Sequence, residues 1–163
     1  MPSITIPDLP FTEYEAENPP KLTFTKVVTA SFNGKEVKLA SWNRLLDTAL
    51  NYAAKEILNF EKLQNIAAVN LVKGKKLDEG YRYLPDANLS VQGQKANLAW
   101  RGVMLIAKNL KCSVEVSFMW HNIQGAEHPG EKGIMRLGWG GPPNFVNADE
   151  SISMRPRRGW GFP

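Results

Sequence analysis

The stretch from Ser90 to Trp120, SVQGQKANLAWRGVMLIAKNLKCSVEVSFMW, contains the two hydrophobic periods that decide the fold. In its first part, apolar residues recur three and four positions apart, which is typical of one face of an amphipathic helix. These residues are Leu98, Ala99, Val103, Ile106, Ala107 and Leu110. From Cys112 to Trp120, apolar and polar residues alternate, the period of a half-buried strand. Because almost nothing separates the two, we predict a helix over 91–110 that folds back and covers the apolar face of the strand.

The composition fits one ordinary globular domain. At 163 residues the chain can bury roughly 70 % of its unfolded surface, and its 43 % hydrophobic and 22 % charged fractions exclude wholesale disorder. No apolar run approaches the roughly 20 residues that span a bilayer, and the Met1-Pro2-Ser3-Ile4 start lacks a signal-peptide pattern. The single cysteine, Cys112, falls in an alternating pattern and is interpreted as a small buried hydrophobe. These features predict a cytoplasmic protein with no membrane contact.

The net charge of +4 is unevenly distributed. Residues 1–20 contain the acids Asp8, Glu13, Glu15 and Glu17 but no base. Residues 70–111 are mainly basic, with Lys73, Lys75, Lys76, Arg82, Lys95, Arg101, Lys108 and Lys111. A basic middle with an acidic arm is compatible with nucleic-acid binding, with docking between neighbouring subunits, or with an ordinary solvated surface.

Local signals predict the elements of the first half. Five prolines fall within residues 1–22, and because proline fixes φ and removes a backbone donor we predict an extended arm there. Asn33-Gly34 is the strongest short signal for a type I′ turn, so residues 22–40 are predicted as a hairpin. Ser41 can cap a helix over 42–58, where apolar residues again follow the helical period.

The second half is predicted in the same way. A short helix over 60–68 and strands over 69–72 and 81–84 come first, and Asn88-Leu89-Ser90 is interpreted as the cap of the helix over 91–110. Residues 134–137 are predicted to return antiparallel to the strand over 112–120. The chain is thus an arm (1–22), an α+β domain (23–138) and a tail (139–163) rich in glycine, proline and aromatic residues. The sheet is expected to be mainly antiparallel with four or five strands, and the two main helices are expected on one face.

The residues that could carry catalysis are few. His121 and His128 lie in one polar loop beside Glu127 and Glu131, but a metal site needs three or four converging ligands. No phosphate-binding glycine loop and no nucleophile-elbow motif is present. We therefore predict no catalytic residue, no metal and no cofactor. A small metal-dependent nuclease that uses His121, His128 and Glu131 stays as a third alternative.

Basic and aromatic residues favour nucleic-acid binding, because lysine and arginine contact phosphates and aromatic rings stack on bases. Tyr81-Arg82-Tyr83 on a strand places the two tyrosines on one face and the arginine on the other. The candidate binding residues are Lys73, Lys75, Lys76, Tyr81, Arg82, Tyr83, Lys95, Arg101, Arg155, Arg157 and Arg158. Two alternatives remain: the tyrosines could pack on a helix, and the helical basic residues could form a solvated face.

Aromatic residues in the two arms favour protein contacts, because large rings are costly to expose and are common anchors of interfaces. The candidate interface residues are Phe11, Tyr14, Trp139, Phe145, Trp160 and Phe162. We expect another molecule to hold both arms, either a different protein or a second copy of the chain.

Four short motifs carry a resemblance to a known module. They are Phe32-Asn33-Gly34-Lys35, Ser41-Trp42 with Leu45-Leu46, the basic turn and strand from Lys73 to Tyr83, and Asn88-Leu89-Ser90. Over residues 30–112 their order resembles a small uncharacterised α/β module of bacterial and phage proteins that is often linked to nucleases or defence systems. The proline-rich arm, the 121–133 loop and the tail depart from it. The resemblance implies nucleic-acid-related biology and carries over no catalytic residue.

These observations together predict a non-enzymatic accessory subunit of a prokaryotic or phage nucleoprotein complex. Its basic residues would contact the phosphates of DNA or RNA, and its arms would bind neighbouring subunits. The alternative is a structural or assembly protein, such as a phage component, that binds no nucleic acid.

Overall fold

The structure is a computed structural model, and it describes residues 10–138. Along the chain the strands are β1 (Phe11–Glu15), β2 (Thr25–Phe32), β3 (Lys35–Glu36), β4 (Leu71–Lys73), β5 (Tyr81–Leu84), β6 (Leu89–Gln92), β7 (Val114–Trp120) and β8 (Lys132–Leu137). The helices are α1 (Trp42–Glu56), α2 (Phe60–Ala67) and α3 (Ala96–Leu110). The predicted α+β class is confirmed.

The larger sheet has five strands in the order β1-β8-β7-β2-β3. The predicted return of residues 134–137 antiparallel to the strand before them is confirmed by the pairing of β7 with β8. The edge strand β1 instead runs parallel to β8, from Phe11 opposite Lys132 to Glu15 opposite Arg136. The predicted N-terminal arm therefore contains a sheet strand; the strand itself has no proline, and Pro10 lies directly before it.

The hairpin between β2 and β3 turns at Asn33-Gly34 as predicted. Both residues have positive φ, 53° and 85°, as a type I′ turn requires. The second strand of the hairpin is shorter than predicted, because regular pairing ends at Glu36 and Leu39 takes a left-handed φ of 51°.

The helices pack on one face of this sheet around a cluster of aromatic rings. Ser41 caps α1 by accepting a hydrogen bond from the Arg44 amide, as predicted. Trp42 of α1 lies between α3 and the sheet, with its ring centroid 6.2 Å from Trp100 and 5.7 Å from Phe118. α3 therefore meets the aromatic part of β7 through α1, whereas the sequence predicts that the helix over 91–110 folds directly onto the strand. Within residues 10–138 no helix is long and apolar enough to cross a bilayer.

The prediction for the start of α3 was wrong. The helix begins at Ala96. Leu89 and Ser90 of the predicted cap belong to β6, the central strand of a separate three-stranded sheet in the order β4-β6-β5. Leu89 and Val91 lie on one face of the strand and belong to the hydrophobic core, whereas Ser90 lies on the other face beside Tyr83, as the strand period requires. Lys95, the actual cap residue, makes no side-chain capping bond, so this helix start lacks the usual signal in the sequence.

Candidate nucleic-acid interface

The three-stranded sheet has a mainly apolar inner face, and its other face is mainly polar with Val72 among the polar side chains. Its inner face carries four residues of the hydrophobic core, which are Leu71, Leu84, Leu89 and Val91. In the register, Tyr83 lies opposite Ser90 and Tyr81 opposite Gln92, so these four side chains share the other face. We call this face, together with the loop over 74–80, the tyrosine face.

The loop over 74–80 folds back over the tyrosine face because Ser90 holds it there. The Lys76 amide donates to Ser90 Oγ at 2.8 Å, and the Ser90 hydroxyl donates to the Gly74 carbonyl at 2.7 Å. Farther along, Gln92 Nε2 donates to the Glu79 carbonyl at 2.9 Å. The loop held by these hydrogen bonds covers Ser90 completely, and the bonds fix the backbone that carries the two loop lysines.

Two lysine–tyrosine pairs form on this face. The Lys75 ammonium lies 5.8 Å from the ring centroid of Tyr83, and that of Lys76 lies 5.2 Å from the ring centroid of Tyr81. Both distances are within the range of a cation–π contact. The prediction that the tyrosines share a face is confirmed by the register, and their rings pack against lysines, where the alternative had placed them on a helix.

The two pairs differ in how freely their lysines can move. Lys76 Nζ contacts Asp78 at 2.8 Å and Glu79 at 3.0 Å, and its side chain is 27 % exposed. The hydrogen bond to Asp78 raises the pKa of Lys76 most, and the hydrogen bond to Glu79 raises it further. The hydrogen bond between Lys76 and Asp78 also lowers the pKa of Asp78. Lys75 makes no ion pair with any residue in 10–138, so its positive charge is not balanced locally.

The Tyr83 ring is also held in place. Its hydroxyl donates to Asn88 Oδ1 at 2.7 Å, and the side chain is half-buried. A ring that is already positioned loses little conformational freedom when a flat group stacks on it. Tyr83 with Lys75 is therefore the part of the tyrosine face best suited to a ligand.

The other candidate binding residues lie apart from this pair. Lys73 extends from the edge of the small sheet toward α2, 3.6 Å from Glu61 and 5.5 Å from the ring centroid of Phe60. Arg82 points to the inner side, where its guanidinium forms a two-point contact with Asp47 of α1, 3.1 Å from Nε to Oδ2. Lys95 precedes α3, and Arg101 is exposed on that helix. Arg155, Arg157 and Arg158 lie outside the described residues.

The predicted interface residues of the N-terminal arm contact the chain's own domain. The Tyr14 ring packs 5.8 Å from Trp120 and 6.3 Å from Phe118, and burial, with Glu131 and Glu127 nearby, raises the pKa of Tyr14. Phe11 stays 41 % exposed, with the Lys132 ammonium 5.2 Å from its ring centroid. The ring at position 14 thus has an intramolecular role that needs no partner molecule. Trp139, Phe145, Trp160 and Phe162 lie outside the described residues.

The loop that contains both histidines packs against the aromatic core through one of them. The His128 ring packs at 4.9 Å on Trp120, whereas His121 is exposed. Among the described residues, no three His, Cys, Asp or Glu side chains form a group suited to a metal ion. His121, His128 and Glu131 therefore do not assemble the metal centre that the nuclease alternative required.

Sequence reasoning found the tyrosines and the loop lysines but missed the residue that joins them. The Lys-Gly-Lys-Lys turn shortly before Tyr-Arg-Tyr indicates that the loop lysines lie near the tyrosines. Ser90, in contrast, fits a helix-cap pattern, and its sequence context does not indicate a strand. The described chain is thus an α+β protein with a lysine–tyrosine surface on its smaller sheet. Comparisons with protein families, with curated proteins and with solved structures found no match to the chain.

Proposed function

We propose that this protein is a non-enzymatic, nucleic-acid-binding accessory subunit of a prokaryotic or phage nucleoprotein complex, working in the cytoplasm. A base would stack on Tyr83, and Lys75 would contact the adjoining phosphate. The observation that carries the proposal is a lysine that makes no ion pair within residues 10–138 and lies beside a positioned, half-buried tyrosine ring. The resemblance over residues 30–112 also favours a function related to nucleic acids.

The exchange of contacts is energetically reasonable. Lys75 is exposed and can leave the ring for a phosphate, while a base takes its place on the ring; one such stack contributes about 1–3 kcal/mol. Lys76 is already held by two carboxylates, so Tyr81 keeps its lysine and contributes less. Such a surface favours single strands, whose bases are free to stack, over paired duplex.

The proposal is tested by fluorescence anisotropy with short, labelled single-stranded DNA and RNA oligonucleotides. Tyr83→Ala is expected to weaken binding by about fivefold or more, the loss of one stack. Lys75→Ala is expected to weaken it less, and Tyr81→Ala least. Lys38→Ala is the charge-matched control, because Lys38 is exposed near the far end of the larger sheet.

Three results would contradict the proposal. One is the absence of binding to either oligonucleotide at low salt. Another is an equal loss of affinity in Lys38→Ala and Lys75→Ala. The third is a lack of excess absorbance at 260 nm when the native protein is purified together with its partners. Circular dichroism of each variant separates a loss of binding from a loss of structure.

A further inference from the structure

The five-stranded sheet has a second face on which none of the described helices lies. The helices pack on the side of Phe118 and Trp120, whereas Met119, Ser117 and Glu115 alternate with those residues and point the other way. We call this second side, which carries Lys26, Val28, Glu36, Met119, Ile134 and Arg136, the open face. It lies on a different sheet from the tyrosine face, so an inference from it does not depend on nucleic-acid binding.

The centre of the open face is suited to burial. Val28 is 45 % exposed at a bulge in β2, and Met119 and Ile134 are partly exposed beside it. The two hydroxyls of this region, Thr29 and Ser117, already hydrogen-bond to each other at 2.6 Å. Covering the centre would therefore remove apolar surface from water without leaving these hydroxyls unpaired.

The two ends of the open face carry opposite charge. At one end Lys26 lies opposite Met119, in the same row as Lys132. At the other end Glu36 lies opposite Ser31, in the row of Glu115. Arg136 contacts Glu13 and Glu115, both at 3.3 Å. Neither Lys26 nor Glu36 makes an ion pair with a residue in 10–138.

We propose that two copies of the chain bind each other through their open faces. A two-fold axis that lies between the sheets and runs across the strands places the basic end of each copy over the acidic end of the other, and both copies then use the same surface. Lys26 on β2 is then offset sideways from Glu36 of the partner subunit by one strand spacing, about 5 Å, across a gap of about 10 Å between the two sheets, because β3 is next to β2. The lysine and glutamate side chains together span that distance.

The size of the face sets the strength of the dimer. Five strands at their usual spacing and strands of this length give a contact about 20 Å wide and about 20 Å long. That is about 400 Å² per copy, below the size of standard specific interfaces, so the expected dimer is weak and transient, with a dissociation constant on the order of 10 µM. It should form reversibly with concentration.

Sedimentation equilibrium of the full chain over a range of concentrations tests the proposal. The mass should rise from 18.2 kDa toward twice that value. Lys26→Glu and Glu36→Lys should each raise the dissociation constant about tenfold by placing like charges together. The double variant should bind nearly as well as the wild type, because the two positions again carry opposite charges. Lys62→Glu on α2 is the charge-reversal control.

Four outcomes would overturn the proposal. They are a monomer at all concentrations, a dimer that the two single variants leave unchanged, single variants without rescue in the double variant, or an equal effect of Lys62→Glu. A second pair of variants tests the apolar centre: Val28→Asp should weaken the dimer, whereas Leu39→Asp, at an exposed position beyond β3, should not. All substituted positions are exposed, so unchanged melting temperatures are expected.

Discussion

At Gly133, β8 lies so close to the rings of the aromatic cluster that a side-chain Cβ atom would not fit. A Cβ at this position would lie 2.6 Å from Phe118 Cζ and 2.9 Å from Tyr14 Cε2. Both rings are held by neighbours, so Gly133→Ala is expected to destabilise the fold by about 1–3 kcal/mol. Thermal unfolding checks this, with Gly138→Ala as the control because a Cβ there meets nothing within 4 Å. Equal melting temperatures for the two variants would contradict the packing described.

Cys112 illustrates a residue whose environment follows directly from its place in a pattern. It is 1 % exposed, as the alternation predicted, and burial raises the pKa of its thiol. The folded chain thus holds the proton to higher pH than the unfolded chain. The resulting stabilisation is complete below the thiol's ordinary pKa and declines as the pH rises above it.

Reactivity measures the same burial. An aromatic disulfide reagent at mildly alkaline pH should modify Cys112 about tenfold or more slowly in the native protein than in denaturant. The single thiol makes the assignment unambiguous. Equal rates in the two states, with the native spectrum retained, would show that the thiol is open to solvent.

Among the elements, those with a local signal were predictable and β6 was not. The turn at Asn33-Gly34 and the cap at Ser41 depend on two or three neighbouring residues, and both were correct. β6 has only four residues, and it is defined by pairing with β4 and β5 on both sides. Its sequence, Leu-Ser-Val-Gln, follows Asn88, and Asn88-Leu89-Ser90 fits a helix cap equally well, so only tertiary contacts could decide between the two.

Ser90 on β6 provides the test at this scale. Ser90→Ala leaves the Lys76 amide and the Gly74 carbonyl without their buried partner, which costs about 1–3 kcal/mol. Hydrogen exchange at the Lys76 amide should become faster, and oligonucleotide binding should weaken as the loop loosens. Ser113→Ala, at an exposed serine, is the control. Unchanged exchange at Lys76 would mean that the loop over 74–80 is held by other contacts.

For the whole molecule, the long-range pairings were the least predictable part. β1 and β8 are separated by most of the chain, and their parallel pairing follows from no local pattern. The same holds for the division into two sheets and for the placement of Tyr14 against Trp120. Aromatic residues in the arm were correctly identified as residues that need contacts, but composition alone could not show that their own domain supplies them.

The last prediction concerns how the proposed binding divides between stacking and charge across the whole chain. Each phosphate contact to a single strand contributes about 0.7 to the slope of log affinity against log salt. Replacing Arg155, Arg157 and Arg158 together by alanine should therefore lower the slope by about 2, and Lys75→Ala should lower it by less than 1. Tyr83→Ala should reduce affinity at every salt concentration and leave the slope unchanged, because stacking releases no counterions. Anisotropy titrations across a salt series measure both quantities. A change of slope in Tyr83→Ala would mean that the ring does not act by stacking alone. An unchanged slope in the triple variant would mean that Arg155, Arg157 and Arg158 do not contact phosphates.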